Sequence, residues 1–253
     1  MSDITEEEHI YKSHNKSLLL YHLVFPAKYR RKIFTNSVEK SLKEVCIGIS
    51  ERYEVRFVEI GVYYAGSVNV FIVEFKNDKK RVMIDAGFGA RRGKLLTEMK
   101  KADITPESIS DILITHIHPD HVGGLPDFPK AKIHIAQEEY EAWAKDPSRK
   151  YLAKYLPEKE NLSLFAYCTE VVPDLKAIKA AGHTPGHTVF QMKDRYFVGD
   201  IVHAVDLQIA HPFFSSRYDM NPQEAAASRR KLKEFRGEWF GAHITYPGKY
   251  RNP

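Results

Sequence analysis

Within the stretch Thr115-His116-Ile117-His118-Pro119-Asp120-His121, four side chains able to bind a metal, His116, His118, Asp120 and His121, fall inside six residues. Imidazole nitrogens and a carboxylate suit divalent transition metals, zinc first, with iron or manganese as alternatives. The apolar run Ile112-Leu113-Ile114 just before them reads as a short buried strand. A strand end passing into a tight loop can turn all four groups toward one point. Four donors from so short a loop are too many for a single ion. One ion would take His116 and His118, and a second would take Asp120 and His121. The plain alternative is a solvated surface loop, but His-x-His-x-Asp-His after an apolar strand is far more specific than a lone His-x-His.

Further donors recur along the chain. His183 lies in Gly182-His183-Thr184-Pro185-Gly186-His187, Asp200 follows Gly199, and His243 follows the expected strand 239–242. Each stands at a strand end or edge close to glycine. Singly each is weak; with the first cluster they complete two coordination shells, because ligands at the ends of several strands can converge on one rim. Asp85 opens the loop Asp85-Ala86-Gly87-Phe88-Gly89 at another strand end. That loop lacks the lysine and Ser/Thr of a phosphate loop. Asp85 can support a ligating histidine from behind, or simply be a turn acid.

The elements that must position these residues read as follows. Strands are expected over 68–74 and 81–84, helices over 94–102 and just after Thr105-Pro106-Glu107, a strand over 131–136 and a helix over 138–145. His134, inside that strand, reads as structural. A hairpin follows over 188–192 and 195–198. Asn221-Pro222-Gln223-Glu224 opens a helix running to about 235, and residues 239–242 form a last strand. Before all of these, 17–25 reads as a strand, 38–49 as a helix carrying Val38, Leu42, Val45, Cys46 and Ile49 at helical spacing, and 53–62 as a second strand. Residues 55–62 could pair with 67–75 across Ala65-Gly66.

Composition excludes several classes. The chain has 253 residues, 43% hydrophobic and 28% charged, with a net charge of +5 in which bases and acids are interspersed. That gives no footprint for nucleic acid. Two distant cysteines, Cys46 and Cys168, make no disulfide framework and point to a reducing compartment. The opening MSDITEEEH is no secretory signal, and the longest apolar run, 18–25, is too short to span a bilayer. A cytoplasmic protein acting on a small molecule is expected.

Two resemblances follow from these residues. YKSHNKSLLLYHLVFPAKYRRKIFTNSVEKSLKEVCIGISERYEVRFVEIG closely resembles the start of the small single-tyrosine transposases of insertion sequences. Those enzymes carry a His-hydrophobe-His motif on the next strand, where this chain has Gly66-Ser67-Val68-Asn69-Val70-Phe71. The resemblance ends near Gly61 and brings none of the chemistry. Residues 1–61 hold ten Lys and Arg against nine Asp and Glu. They read as a fusion relic rather than a DNA-binding module, although Lys28 to Lys32 form a basic run and Tyr21, His22 and Tyr29 could stack bases.

The order THIHPDH, GHTPGH, VGD and GAH is similar to the metallo-β-lactamase superfamily over about 62–253. The resemblance implies an α/β fold, an αββα sandwich with a dinuclear site at one edge, preceded here by the β-α-β fragment. It implies His116, His118 and His183 on a first metal, Asp120, His121 and His243 on a second, and Asp200 bridging them, with His187 behind the ligands. The transposase-like fragment stands where the family has its first strands. Two such ions share a hydroxide of lowered pKa that attacks a carbonyl or phosphoryl centre, while one ion polarises the substrate oxygen. Asp120 would orient the hydroxide and carry a proton to the leaving group. GDIVHAVDLQ, NPQEAAASRRKL and AHITYPG look most like the lactonase- and organophosphate-hydrolase-like branch. His203 and Tyr246 would line the cleft, and Phe88, Phe213 and Phe214 its apolar wall. Other readings are a thioesterase, a mononuclear iron dioxygenase, a metal-dependent nuclease, and, in a different class, a DNA-binding or non-functional fusion.

Overall fold

The computed structural model describes residues 68–75, 80–89, 92–146, 155–156, 159–244 and 249–252. All belong to the second of two units, Tyr63–Pro253. The β-α-β unit expected over 17–62, its pairing with 67–75, and the residues Tyr21, His22, Tyr29 and Tyr246 lie outside the described residues.

Alternation along the strands decides the layers. Strands β1 (Phe71–Glu74), β2 (Arg81–Ile84), β3 (Asp111–Leu113), β4 (Lys132–Ala136) and β5 (Leu162–Phe165) form a five-stranded sheet in that order. Its first pair is antiparallel and the other three are parallel. Val82, Ile84, Leu113, Ala136 and Phe165 point to one face, while Met83, Ile112, Ile133 and Ile135 point to the other. Both faces are apolar because both are covered, as near-continuous hydrophobic strands of a parallel sheet require.

The second sheet runs β11 (Lys249–Asn252), β10 (Gly237–Gly241), β9 (Arg195–Gly199), β8 (Thr188–Met192), β7 (Leu175–Lys179), β6 (Glu170–Val172). Only β9 and β10 pair in parallel. Val172, Leu175, Ala177, Phe190 and Phe197 meet the inner face of the first sheet in one apolar cluster. Burying each such side chain stabilises the fold by roughly 1.5–3 kcal/mol.

Helices close both outer faces. Leu95, Leu96 and Met99 of α1 (Arg92–Lys101), Val122 of α2 (Pro119–Val122) and Trp143 of α3 (Gln137–Ala144) pack on the first sheet. Val205 and Ile209 of α4 (Val205–Ala210), with Ala225 and Leu232 of α5 (Pro222–Leu232), pack on the second with Val189, Val198 and Trp239. The layering is the expected αββα sandwich. In α5, Asn221 Oδ1 accepts the Glu224 N–H at 3.1 Å, and Pro222 takes the first turn, where its missing N–H costs nothing.

One expectation is corrected. Residues 239–242 are not the last strand, since β11 pairs antiparallel with β10 beyond them. Lys249-Tyr250-Arg251-Asn252 has no apolar alternation; this edge strand is held by Tyr250 against Trp239, ring centroids 5.5 Å apart, and by Asn252 Nδ2 donating to Lys233 and Phe235 carbonyls.

Candidate metal centre

Five chain segments meet at the ends of β2, β3, β9 and β10 and in the β7–β8 connection. Beyond β3 the chain passes without regular structure to His118, which is extended, and then turns into the one-turn helix α2 with Pro119 in its first position. That turn separates His116 and His118 from Asp120 and His121. The β7–β8 connection brings His183, β9 ends at Asp200, and β10 ends just before His243.

The first donor group is His116, His118, His183 and Asp200, and the second is Asp120, His121, Asp200 and His243; within each, the donor atoms lie within 4.8 Å of one another. In the first, His118 Nδ1 is 2.9 Å from His116 Nε2 and 3.1 Å from His183 Nε2. Asp200 Oδ2 is 4.0 and 3.6 Å from those two Nε2 atoms. In the second, His243 Nε2 is 3.3 Å from Asp120 Oδ2 and 3.1 Å from Asp200 Oδ2. His121 Nε2 is 3.9 Å from Asp120 Oδ2 and 3.2 Å from Asp200 Oδ1. A tetrahedral ion with nitrogen or oxygen donors at 2.0–2.1 Å has donor–donor edges of ~3.3 Å, which these distances bracket. His121 Nε2 and Asp200 Oδ1 are buried and poorly aligned for a hydrogen bond with each other. Such groups fit a divalent ion better than they fit one another.

The far sides of the His116, His121 and His183 imidazoles are tied down, which fixes the nitrogen each turns inward. Asp85 Oδ2 lies 2.8 Å from His121 Nδ1, and Asp85 also accepts from the Thr115 N–H and hydroxyl. Thr115 Oγ1 is 3.1 Å from His116 Nδ1. Asp85 thus reaches both donor groups, and it does so from a left-handed conformation, φ 58°, that aspartate tolerates better than most residues. His187 Nε2 accepts the Asp200 N–H at 3.1 Å, so it orients Asp200 from outside both groups. A Cβ on Gly199, at φ +53°, would stand 2.6 Å from that Nε2; only glycine allows the approach.

His203 joins the cluster: its Nε2 lies 3.4 Å from Asp200 Oδ2, and its ring stacks on His243 at 5.1 Å and 6°. Gln208 Oε1 accepts the His203 and Ala204 N–H groups and holds that turn. His134 does not join; it pairs with Asp111 at 2.7 Å in the first sheet. Phe88 and Phe213 are exposed, and Phe213 stacks on Phe214 and lines a surface pocket with Pro222, Gln223, Ala226 and Arg230.

Sequence reading missed four supports. Asp219 Oδ1 lies 2.9 Å from His183 Nδ1. Arg229, wholly buried, donates to the other Asp219 oxygen. Thr115 links Asp85 to His116. Glu139, also buried, accepts from Ile117 N, Gly186 N and Trp143 Nε1 at 2.8, 2.8 and 2.6 Å, cross-tying the two ligand-bearing loops. A charged residue on the apolar face of a helix was the available signal for Glu139 and Arg229.

Electrostatics separates the two groups. Burial holds His116 well below the usual histidine range, aided by His121 and His118, and lowers His118 to about 3. His183 is lowered for the same reason. These rings are neutral and present lone pairs. Burial would also lower His121 and His243, but the Asp200 carboxylate outweighs it, helped by Asp85 at His121 and by Asp120 at His243, so that His121 is raised strongly and His243 to about 10. Burial would raise Asp200, yet His121, His243 and His203 hold it well below the carboxylate range.

Residues 63–240 match the family described as Metallo-beta-lactamase superfamily, and residues 15–64 match Transposase IS200 like. An N-acyl homoserine lactonase of Bacillus sp is 26% identical over 144 residues, 56% of each chain; the chain thus spans about half the length of the curated relatives it matches. Among solved structures, AidC, described as a dizinc quorum-quenching lactonase in complex with the product N-hexnoyl-L-homoserine, is 26% identical, with TM-score 0.65 over 73% of this chain and 74% of that one. The hydrolase AbOPH of the beta lactamase superfamily is also 26% identical, with TM-score 0.64 over 83% and 82%.

Proposed function

The chain belongs to the metallo-beta-lactamase superfamily, and from that premise we propose that it is a metal-dependent hydrolase that opens a lactone or cleaves a related ester or phosphoester. The observation that carries this is the pair of four-donor groups sharing one buried carboxylate, Asp200. His116, His118 and His183 would hold one divalent ion, Asp120, His121 and His243 another, and Asp200 both. Zinc suits the nitrogen-rich donor set, and a dizinc lactonase among the similar structures supports it. When bound, such ions supply an acidified water as nucleophile and polarise the substrate oxygen.

The chain's own residues set the direction of approach. His116, His121 and His183 side chains are fully buried, whereas Asp120 is 31% exposed, His203 24% and His243 15%. Substrate therefore arrives on the Asp120–His203–His243 side. Asp120 reaches both the second donor group and solvent, so it can orient the attacking water and pass its proton to the leaving oxygen. His203, fixed by Gln208 and by stacking, faces the same opening and can hold the substrate's carbonyl or phosphoryl oxygen. Lactonase relatives favour lactones as the first substrates to try.

Elemental mass spectrometry on the purified chain tests the reading, with a screen of N-acyl homoserine lactones, aryl esters and phosphotriesters. About two zinc per chain, lost together with turnover in a His116→Ala/Asp200→Ala variant, is the expected result. About one iron per chain would replace the hydrolase with an oxygenase, and no bound metal would overturn the reading.

A further inference from the structure

A buried arginine ties the candidate metal centre to a surface segment that no catalytic role uses. Arg229 lies on the apolar face of α5 and is wholly buried. Its Nε donates to Ile201 O at 2.7 Å, and one terminal nitrogen donates to Pro212 O and Phe214 O at 3.2 and 3.1 Å. The other donates to Asp219 Oδ2. A planar fork with several fixed donors can make this set of bonds; the point charge of a lysine cannot. Burying an unpaired guanidinium would be strongly unfavourable, so the bonds form together or not at all.

Asp219 is the junction. Its Oδ1 meets His183 Nδ1 at 2.9 Å, while Oδ2 accepts from Arg229 and from the Ser216 N–H at 3.1 Å. Backbone bonds run in parallel: Met220 N–H donates to His183 O and Asn221 N–H to Gly182 O, at 3.1 and 2.8 Å. Gly182 at φ +122° lets α5 approach this closely, because a Cβ there would stand 2.0 Å from Ala225 N. At the far end, Phe214 O also accepts from Gln208 Nε2, whose Oε1 holds the His203 N–H. The segment so gripped displays Phe213, Tyr218 and Met220, 53%, 55% and 45% exposed. Large apolar groups on an irregular segment stay in one arrangement only if its backbone is held from beneath.

We infer that Arg229 is a positioning residue that, through Asp219, holds His183 and segment 212–220 as one unit, so that loading the metal centre orders that segment. This rests on the proposed metal reading of His183. Its consequence is reciprocal: whatever orders the segment tightens the metal, and the metal orders the segment.

The test strips metal from wild type and from Arg229→Lys, titrates each with zinc against a chromophoric chelator, and follows amide exchange with and without zinc. In wild type, zinc slows exchange at Ser216, Asp219, Met220 and Asn221. In Arg229→Lys, one of the two zinc sites weakens by about 10–100-fold, the size expected when a partner behind a ligating histidine is lost. The other is unchanged, and zinc no longer protects those four amides. A purely structural role for Arg229 would lower the melting temperature and leave both zinc affinities and the zinc-dependent protection intact; that result overturns the inference. If Arg229→Lys does not fold, wild type alone decides, because the absence of zinc-dependent protection at these amides is equally fatal. Wild type that binds no zinc brings down the metal reading as well, whereas wild type that binds two while the variant matches it brings down only the coupling.

Discussion

The two donor groups share Asp200 but are built on opposite principles. The first relies on three neutral imidazoles, with the His116 and His183 side chains fully buried. The second sets two carboxylates against two histidines that Asp200 raises, and it is partly open through Asp120 and His243. In the first group, crowded lone pairs ask for a cation. In the second, the Asp200 carboxylate raises His121 and His243, so a metal there competes with protons. The closed, neutral group is suited to retention, and the open, charge-paired one to exchange with water and substrate. Proteins place function where burial is incomplete, and here the boundary between the two groups runs through a single carboxylate.

The largest expected effect breaks the comparison at that carboxylate. Asp200→Ala removes a donor from both groups and the carboxylate that raises His121 and His243; metal content should fall to well below one equivalent, with turnover down by at least about 10²-fold. His116→Ala empties the first group while leaving all four donors of the second. If elemental analysis finds the same loss in both variants, the groups are not separable and the contrast between them fails.

A smaller effect sharpens it. Asp85 bonds His121 directly but reaches His116 only through Thr115. Asp85→Asn should therefore weaken the second site by about 10–100-fold and the first site less. Competitive zinc titration resolves the two steps, and equal weakening would mean that Thr115 transmits as much as a direct bond.

Much of this centre was legible in the sequence, because ligands need particular side-chain types and strand ends advertise themselves by apolar runs followed by glycine. The seven donors that sequence reading singled out, His116, His118, Asp120, His121, His183, Asp200 and His243, are the ones the fold brings together. Asp219, Arg229 and Glu139 were not legible as supports, because each acts through a contact between residues far apart in the chain: 36 residues separate His183 from Asp219, and 47 separate Gly186 from Glu139. A polar residue inside an amphipathic helix tells that a partner exists but not which one. β11 was missed for a related reason, since a short polar edge strand is defined by its neighbour rather than by its own pattern.

The smallest expected effect supplies the control. Asp111 and His134 repeat the carboxylate–imidazole pairing of Asp85 and His121 at nearly the same separation, 2.7 against 2.8 Å, yet among the described residues His134 belongs to neither donor group. Burial would raise Asp111, but the bonds from His134 and Lys80 outweigh it and hold the carboxyl well below its ordinary 3.8. A carboxyl lowered in the folded state stabilises that state above about pH 4, and the contribution fades as pH falls below 3.8 toward the lowered folded value. Asp111→Asn should therefore cost about 1 kcal/mol at neutral pH, a drop of about 2–4 °C in melting temperature, with the gap to wild type narrowing below pH ~4. Zinc affinity and stoichiometry should stay at wild-type values. Were Asp111→Asn to weaken zinc as Asp85→Asn does, a buried carboxylate–histidine pair would affect the metal wherever it sat, and the position of Asp85 behind the centre would lose its meaning.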